Sequence, residues 1–195
     1  MKISKLLLAI VAASVMLGVL VASASAGRLR ISAIEKAATW TRMNFAGGFG
    51  TVECEVVLRL TFHSGTFRKT VGLLLGYVTE ANVTRCVRGG ATVNRESLPW
   101  HDTYAGFTGT LPDVTGISKL FSGSEWKFRE PTFGGTCLVA GRESSVRISY
   151  AVSSGTITSS SVSGANRCGI SEGEFSGITT NVTSGTGARL SITLI

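Results

Sequence analysis

The chain is short of the residues that acid–base and metal chemistry use. It has two histidines, His63 and His101, and no aspartate follows Asp113. Gly169-Ile170-Ser171-Glu172-Gly173 matches the G-x-S-x-G pattern of a hydrolase nucleophile. In that pattern the acid and the histidine follow the serine, an order this chain cannot supply. The order His63, Asp102, Ser171 fits another known triad arrangement, but the residues flanking them lack the segments that accompany it. No two cysteines lie close enough to form half of a Cys-x-x-Cys zinc site. No metal and no cofactor is therefore expected. Blocks of like charge are missing too. Nineteen Lys and Arg against twelve Asp and Glu give a formal charge of +7, yet the cations stand singly or in close pairs such as Arg28/Arg30, Arg68/Lys69 and Arg85/Arg88. Nucleic-acid binders carry a stripe or cluster, so no nucleic-acid partner is expected. Scattered positive charge suits a mild attraction to anionic walls or membrane surfaces.

What is present begins with an export signal. Lys2 and Lys5 precede an uncharged apolar run, Leu6–Val21, and Ala24-Ser25-Ala26 places small residues ahead of Gly27. These are the parts of a signal peptide over residues 1–26, in order. An uncleaved anchor is the alternative, since Leu6–Ala26 is long enough to span a bilayer; the Ala-x-Ala ending favours cleavage. A secreted, extracytoplasmic protein without stable membrane insertion after cleavage is expected. About 170 residues then remain, ample for one domain (27–195) and short for two. Removing the two leader lysines leaves a charge of about +5.

Cys54, Cys86, Cys137 and Cys168 all lie beyond the signal. An even count in an exported domain reads as a disulfide framework, for which four cysteines permit three pairings. The nearly equal separations favour Cys54–Cys86 and Cys137–Cys168.

Almost every readable segment alternates with period two. Over Thr51–Phe62, one face carries Val52, Cys54, Val56, Leu58, Leu60 and Phe62, and the other Glu53, Glu55, Val57, Arg59 and Thr61. That is a strand with one face in a core and one in water. Phe67–Glu80 returns after a His63–Thr66 turn, with Gly72 and Gly76 hinting at a bulge or close backbone approach. Strands are also expected at Ala91–Ser97, Thr103–Thr110, Ser124–Glu130, Thr136–Ala140, Ser145–Val152 and Gly187–Leu194. Ile34–Ala46 reads equally as helix or strand. The fold expected is all-β, an antiparallel β-sandwich or barrel stapled by two disulfides.

Two short motif pairs suggest a duplicated hairpin unit. Leu58-Arg59-Leu60-Thr61-Phe62 resembles Val146-Arg147-Ile148-Ser149-Tyr150. Phe107-Thr108-Gly109 with Asp113-Val114-Thr115 resembles Phe175-Ser176-Gly177 with Asn181-Val182-Thr183. Among candidate sites, Trp100, His101, Asp102 and Tyr104 stand out: on one loop they could hold a sugar ring by stacking and hydrogen bonding. Trp100 could equally plug one end of the fold. The carboxylate pairs Glu53/Glu55 and Glu172/Glu174 each share a strand face and read as solvated. Leu111–Gly116 superficially matches a wall-sorting signal but has one residue too many.

Phe62-His63-Ser64, Gly76-Tyr77-Val78-Thr79, Cys86, Leu98-Pro99-Trp100-His101 and Phe107–Pro112 together resemble a group of exported bacterial proteins of unknown function. The resemblance spans roughly residues 50–116 and implies a bacterial secreted protein, but no activity. The expectation is a secreted, non-enzymatic module that meets a cell surface or polysaccharide. The alternatives are a hydrolase using His63 or His101, and an extracellular inhibitor or effector.

Overall fold

The computed structural model describes residues 27–47, 50–129, 136–149, 154–162, 172–179 and 181–195. The expected export signal, the Cys137–Cys168 pairing and Ser171 lie outside them. Among the described residues thirteen strands follow in chain order: β1 (Arg28–Ile31), β2 (Glu35–Gly47), β3 (Gly50–Phe62), β4 (Thr66–Arg68), β5 (Leu74–Val87), β6 (Gly90–Val93), β7 (Trp100–Thr110), β8 (Asp113–Arg129), β9 (Thr136–Ser149), β10 (Ser154–Val162), β11 (Glu172–Thr179), β12 (Asn181–Ser184) and β13 (Ile192–Leu194). The ambiguous Ile34–Ala46 segment is strand.

The sequence order of the long strands is also their spatial order. Antiparallel pairings run β2–β3–β5–β7–β8–β9–β10–β11. They then return to the start, because Gly173–Gly177 of β11 pairs with Met43–Gly47 of β2. This cyclic, next-neighbour connectivity of eight strands is that of a barrel, the second of the two arrangements expected. β12 continues along the same edge of β2, pairing with Lys36–Thr39 below a bulge between Trp40 and Met43. The narrowest seam joins β5 to β7 through Leu74–Val78 only. Beyond it, β6 pairs with β8.

Eight strands enclose a space that side chains can just fill, or that can hold one small ligand. Here side chains fill it. The β3 alternation is realised as read: Val52, Cys54, Val56, Leu58, Leu60 and Phe62 are all buried. Trp126 and Phe128 point inward from β8, as their parity requires. Toward one end, Phe45 packs on Trp126 and Phe128, with ring centroids 5.2 and 4.7 Å away, and Trp126 packs on Trp100 at 5.2 Å. The Cys54–Cys86 disulfide joins neighbouring strands β3 and β5, which fits an oxidising compartment. Among the described residues no helix is long and apolar enough to cross a membrane.

A separate three-stranded sheet, β13–β1–β4, covers the other end. Its inner face is Leu29, Ile31, Phe67 and Ile192, all buried. The Phe67 ring lies 5.8 Å from both Phe62 and Tyr104, which fixes the sheet over that end of the barrel. Within the barrel, Gly76 lets β5 lie close against β3. A Cβ at that position would collide with the Thr61 carbonyl and the Phe62 backbone, so the expected close approach is real.

The two motif pairs that suggested duplication fall on β3 and β9, and on β7 and β11. Leu58–Phe62 and Val146–Ser149 stand four places apart around the ring of eight, as do Phe107–Gly109 and Phe175–Gly177; the other half of the second pair breaks the offset, since Asp113–Thr115 is on β8 and Asn181–Thr183 is on β12, outside the ring.

Candidate functional site

The segment read as a loop around Trp100 is part of strand β7, and strand alternation divides its residues. Trp100, Asp102 and Tyr104 point inward and are buried to 1 %, 0 % and 1 % exposure, whereas His101 faces out. Trp100 therefore offers no open stacking surface. Its indole N–H donates to Ser97 Oγ at 2.9 Å, and that hydroxyl donates on to the Asn94 carbonyl at 2.7 Å. The 3-10 turn Arg95–Ser97 thus pins the ring in the plug role.

Asp102 belongs to a charged cluster inside the capped end. Lys119 Nζ donates to Asp102 Oδ2 at 2.7 Å, with both side chains almost fully buried. The Lys119 ammonium also lies 5.3 Å from the Phe62 ring centre and 4.9 Å from that of Phe121. A second lysine, Lys36 of β2, sits over Phe62. Its Nζ, Asp102 Oδ1 and the Tyr104 hydroxyl are buried without a hydrogen-bond partner among the described residues. Burial holds the Lys36 ammonium well below the usual lysine range; the Lys119 charge pushes it the same way, and Asp102 pushes it back. Burial alone raises Tyr104. Neither lysine stands out in the sequence, although each occupies an inward position of its strand, in Lys36-x-Ala38-x-Trp40 and Ile117-x-Lys119-x-Phe121. A cation in an apolar parity series is the signal that could have found them.

The pH dependence follows from these directions. A lysine depressed in the folded state is protonated more readily in the unfolded chain. Stability therefore rises with pH between the folded Lys36 value and the ordinary one near 10.4. A raised tyrosine acts oppositely, and its contribution is lost above about pH 10. Lys36→Met should stabilise the fold at neutral pH by about 1–2 kcal/mol and flatten the alkaline rise. Urea unfolding at a series of pH values checks both effects.

On the outside, three arginines are neutralised across strands. Arg42 pairs with Glu53 at 2.9 Å, Arg59 with Glu80 at 3.1 Å and Arg85 with Glu55 at 3.5 Å. The Glu53/Glu55 pair is thus committed to arginines; the Glu172/Glu174 side chains lie outside the described residues. The small sheet differs. Arg28 of β1 stands directly opposite Arg68 of β4, and Arg30 stands opposite Thr66. Arg28, Arg30 and Arg68 project outward from alternating strands whose other faces are buried. Lys69 follows, with its ammonium 5.7 Å from the Phe107 ring centre. Among the described residues none of these four cations has an ion pair. Like charges directly opposite on adjacent strands are destabilising, so this face carries a repulsion that an anion would relieve. A groove of about 490 Å³ runs beside it, lined by Arg28, His63, Ser64, Thr66, Arg68 and Leu73–Leu75.

His63 and His101 flank Tyr77 on the same outer surface. Their ring centroids are 5.1 and 5.5 Å from the tyrosine ring, both edge-on. Period-two reading of Phe67–Glu80 groups Tyr77 with Leu73 and Leu75 on one face; a register shift between Leu74 and Gly76 separates them, so Leu75 is buried while Tyr77 is half-buried, pairing with Thr61 on one side and His101 on the other. Neither histidine hydrogen-bonds a carboxylate among the described residues, and neighbouring Asp102 is turned inward to Lys119.

No protein-family model, no curated protein and no solved structure matches this chain.

Proposed function

We propose that the protein is an exported, non-enzymatic β-barrel that attaches to an anionic polymer of a cell surface, using the outer face of the β13–β1–β4 sheet. The observation that carries this reading is the assembly of Arg28, Arg30 and Arg68 on one face. Arginines nearly forty residues apart in the chain become one cationic patch through the β1–β4 ladder. Oriented guanidinium groups bind carboxylate and phosphate through paired hydrogen bonds. The groove beside them gives a polymer somewhere to lie. Nothing in the geometry favours the hydrolase alternative, since neither histidine has an orienting acid among the described residues.

The test is retention on insoluble acidic polysaccharide and bacterial cell wall at low and high salt. Arg28→Gln with Arg68→Gln should weaken retention by about tenfold or more. Arg42→Gln with Arg59→Gln removes the same formal charge from ion-paired positions and should change it little. Equal losses from both double variants would reduce the effect to net charge and overturn the assigned face.

A further inference from the structure

We infer that the polymer recognised is built from acidic sugars, with a pyranose carboxylate held by Arg28 and Arg68 and the sugar ring resting on Tyr77. The inference rests on the reading above and names its ligand class. The cationic groove and the aromatic surface meet at His63, which belongs to both. It lines the groove with the two arginines, and its ring meets Tyr77 edge-on at 5.1 Å. Tyr77 is half-buried on the outer side of β5, steadied on its far side by His101.

A pyranose has an apolar face of C–H groups and a rim of hydroxyls, so it pairs with an amphipathic aromatic ring whose polar tip is wet. The groove supplies rim partners in His63, Ser64 and Thr66. The Ser64 hydroxyl already accepts from the Thr66 N–H at 3.1 Å, which leaves its proton free to donate. A uronic acid adds the one group that the opposed arginines lack, a planar anion matching the guanidinium fork. A polyol phosphate would satisfy the arginines and leave the aromatic surface unused. The stacking function once expected of Trp100 and His101 thus passes to Tyr77, one strand over.

The experiment measures affinity by titration calorimetry for three probes: an oligogalacturonate, its fully methyl-esterified form, and single-stranded DNA of equal charge. The unmodified protein should bind the acid form and lose about tenfold or more on esterification. Tyr77→Ala and Tyr77→Leu should each weaken binding of the acid form by about tenfold, and Tyr77→Phe should keep it. Thermal unfolding of each variant checks that it folds, and the ester comparison needs no variant at all. Equal affinity for acid and ester, or DNA bound as tightly as the acid form, would overturn the acidic-sugar assignment. So would retained binding in both Tyr77→Ala and Tyr77→Leu. In each of these cases, arginine-dependent retention on cell wall would leave the broader reading standing. Absence of binding to every probe and to cell wall would overturn both.

Discussion

Asp102→Ala is expected to destabilise the fold by about 3–5 kcal/mol, because it removes one partner of a buried ion pair and strands the other. Asp102 and Lys119 are 0 % and 2 % exposed, so water cannot take over the solvation that the lost carboxylate supplied. The loss is worsened by the second lysine. Without Asp102, the end of the barrel holds Lys36 and Lys119 around one phenylalanine with no anion among them. Lys119→Met should cost less. It leaves Asp102 with Lys36, which already feels the carboxylate and becomes its remaining partner. Replacing the ion pair on both sides, Asp102→Leu with Lys119→Met, should recover much of the loss, since well-packed apolar substitutes often equal or exceed a buried pair. Urea unfolding of the three variants measures these differences. A small cost for Asp102→Ala would mean that water or a small ligand reaches the cluster.

The second large effect lies at the opposite side of the chemistry, in the covalent link from β3 to β5. Converting Cys54 and Cys86 together to alanine should cost about 4 kcal/mol in the chain-entropy account, as expected for a closed loop of this size; the sequence separation is 32. The bridge holds β5 against β3 over the stretch where β5 has no β7 partner, since β7 pairs only with Leu74–Val78. Strand β5 beyond Val78 should therefore be the first region to open in the variant. Hydrogen exchange at Ala81–Val87 should speed up well before exchange in β8 and β9. Uniform loss of protection would instead place the bridge's effect on the unfolded chain alone.

The class of fold was legible because inward positions of the long strands are apolar. The Thr51–Phe62 alternation gave every inward residue of β3, and Trp126 with Phe128 gave the inward parity of β8. Strand lengths were less legible. The expected Ser124–Glu130 strand is, over its described residues up to Arg129, the end of the 17-residue β8, whose earlier half hides its parity because the inward Lys119 breaks the apolar series. Thr136–Ala140 and the described part of Ser145–Val152, up to Ser149, belong to a single β9, interrupted in sequence only at Gly141–Ser144. β10 and β11 were missed altogether; a run such as Thr158–Val162 holds no apolar alternation to read, and register with neighbours makes it a strand. The site shows the same limit. Trp100, His101, Asp102 and Tyr104 are indeed adjacent in sequence, but whether they share a surface depends on whether the segment is loop or strand. Nor could sequence alone bring Arg28 to Arg68, or His63 to Tyr77 and His101. Those meetings are made by ladder register, which links positions far apart in the chain.

The most direct test of the account is to record residue-resolved amide shifts of the isotope-labelled protein during titration with oligogalacturonate. The account predicts saturable shifts confined to Arg28, Arg30, His63–Arg68 and Tyr77, with the barrel interior around Trp100 and Trp126 unchanged. Shifts centred on the barrel interior, or on the ion-paired face of Arg42, Arg59 and Arg85, would contradict it.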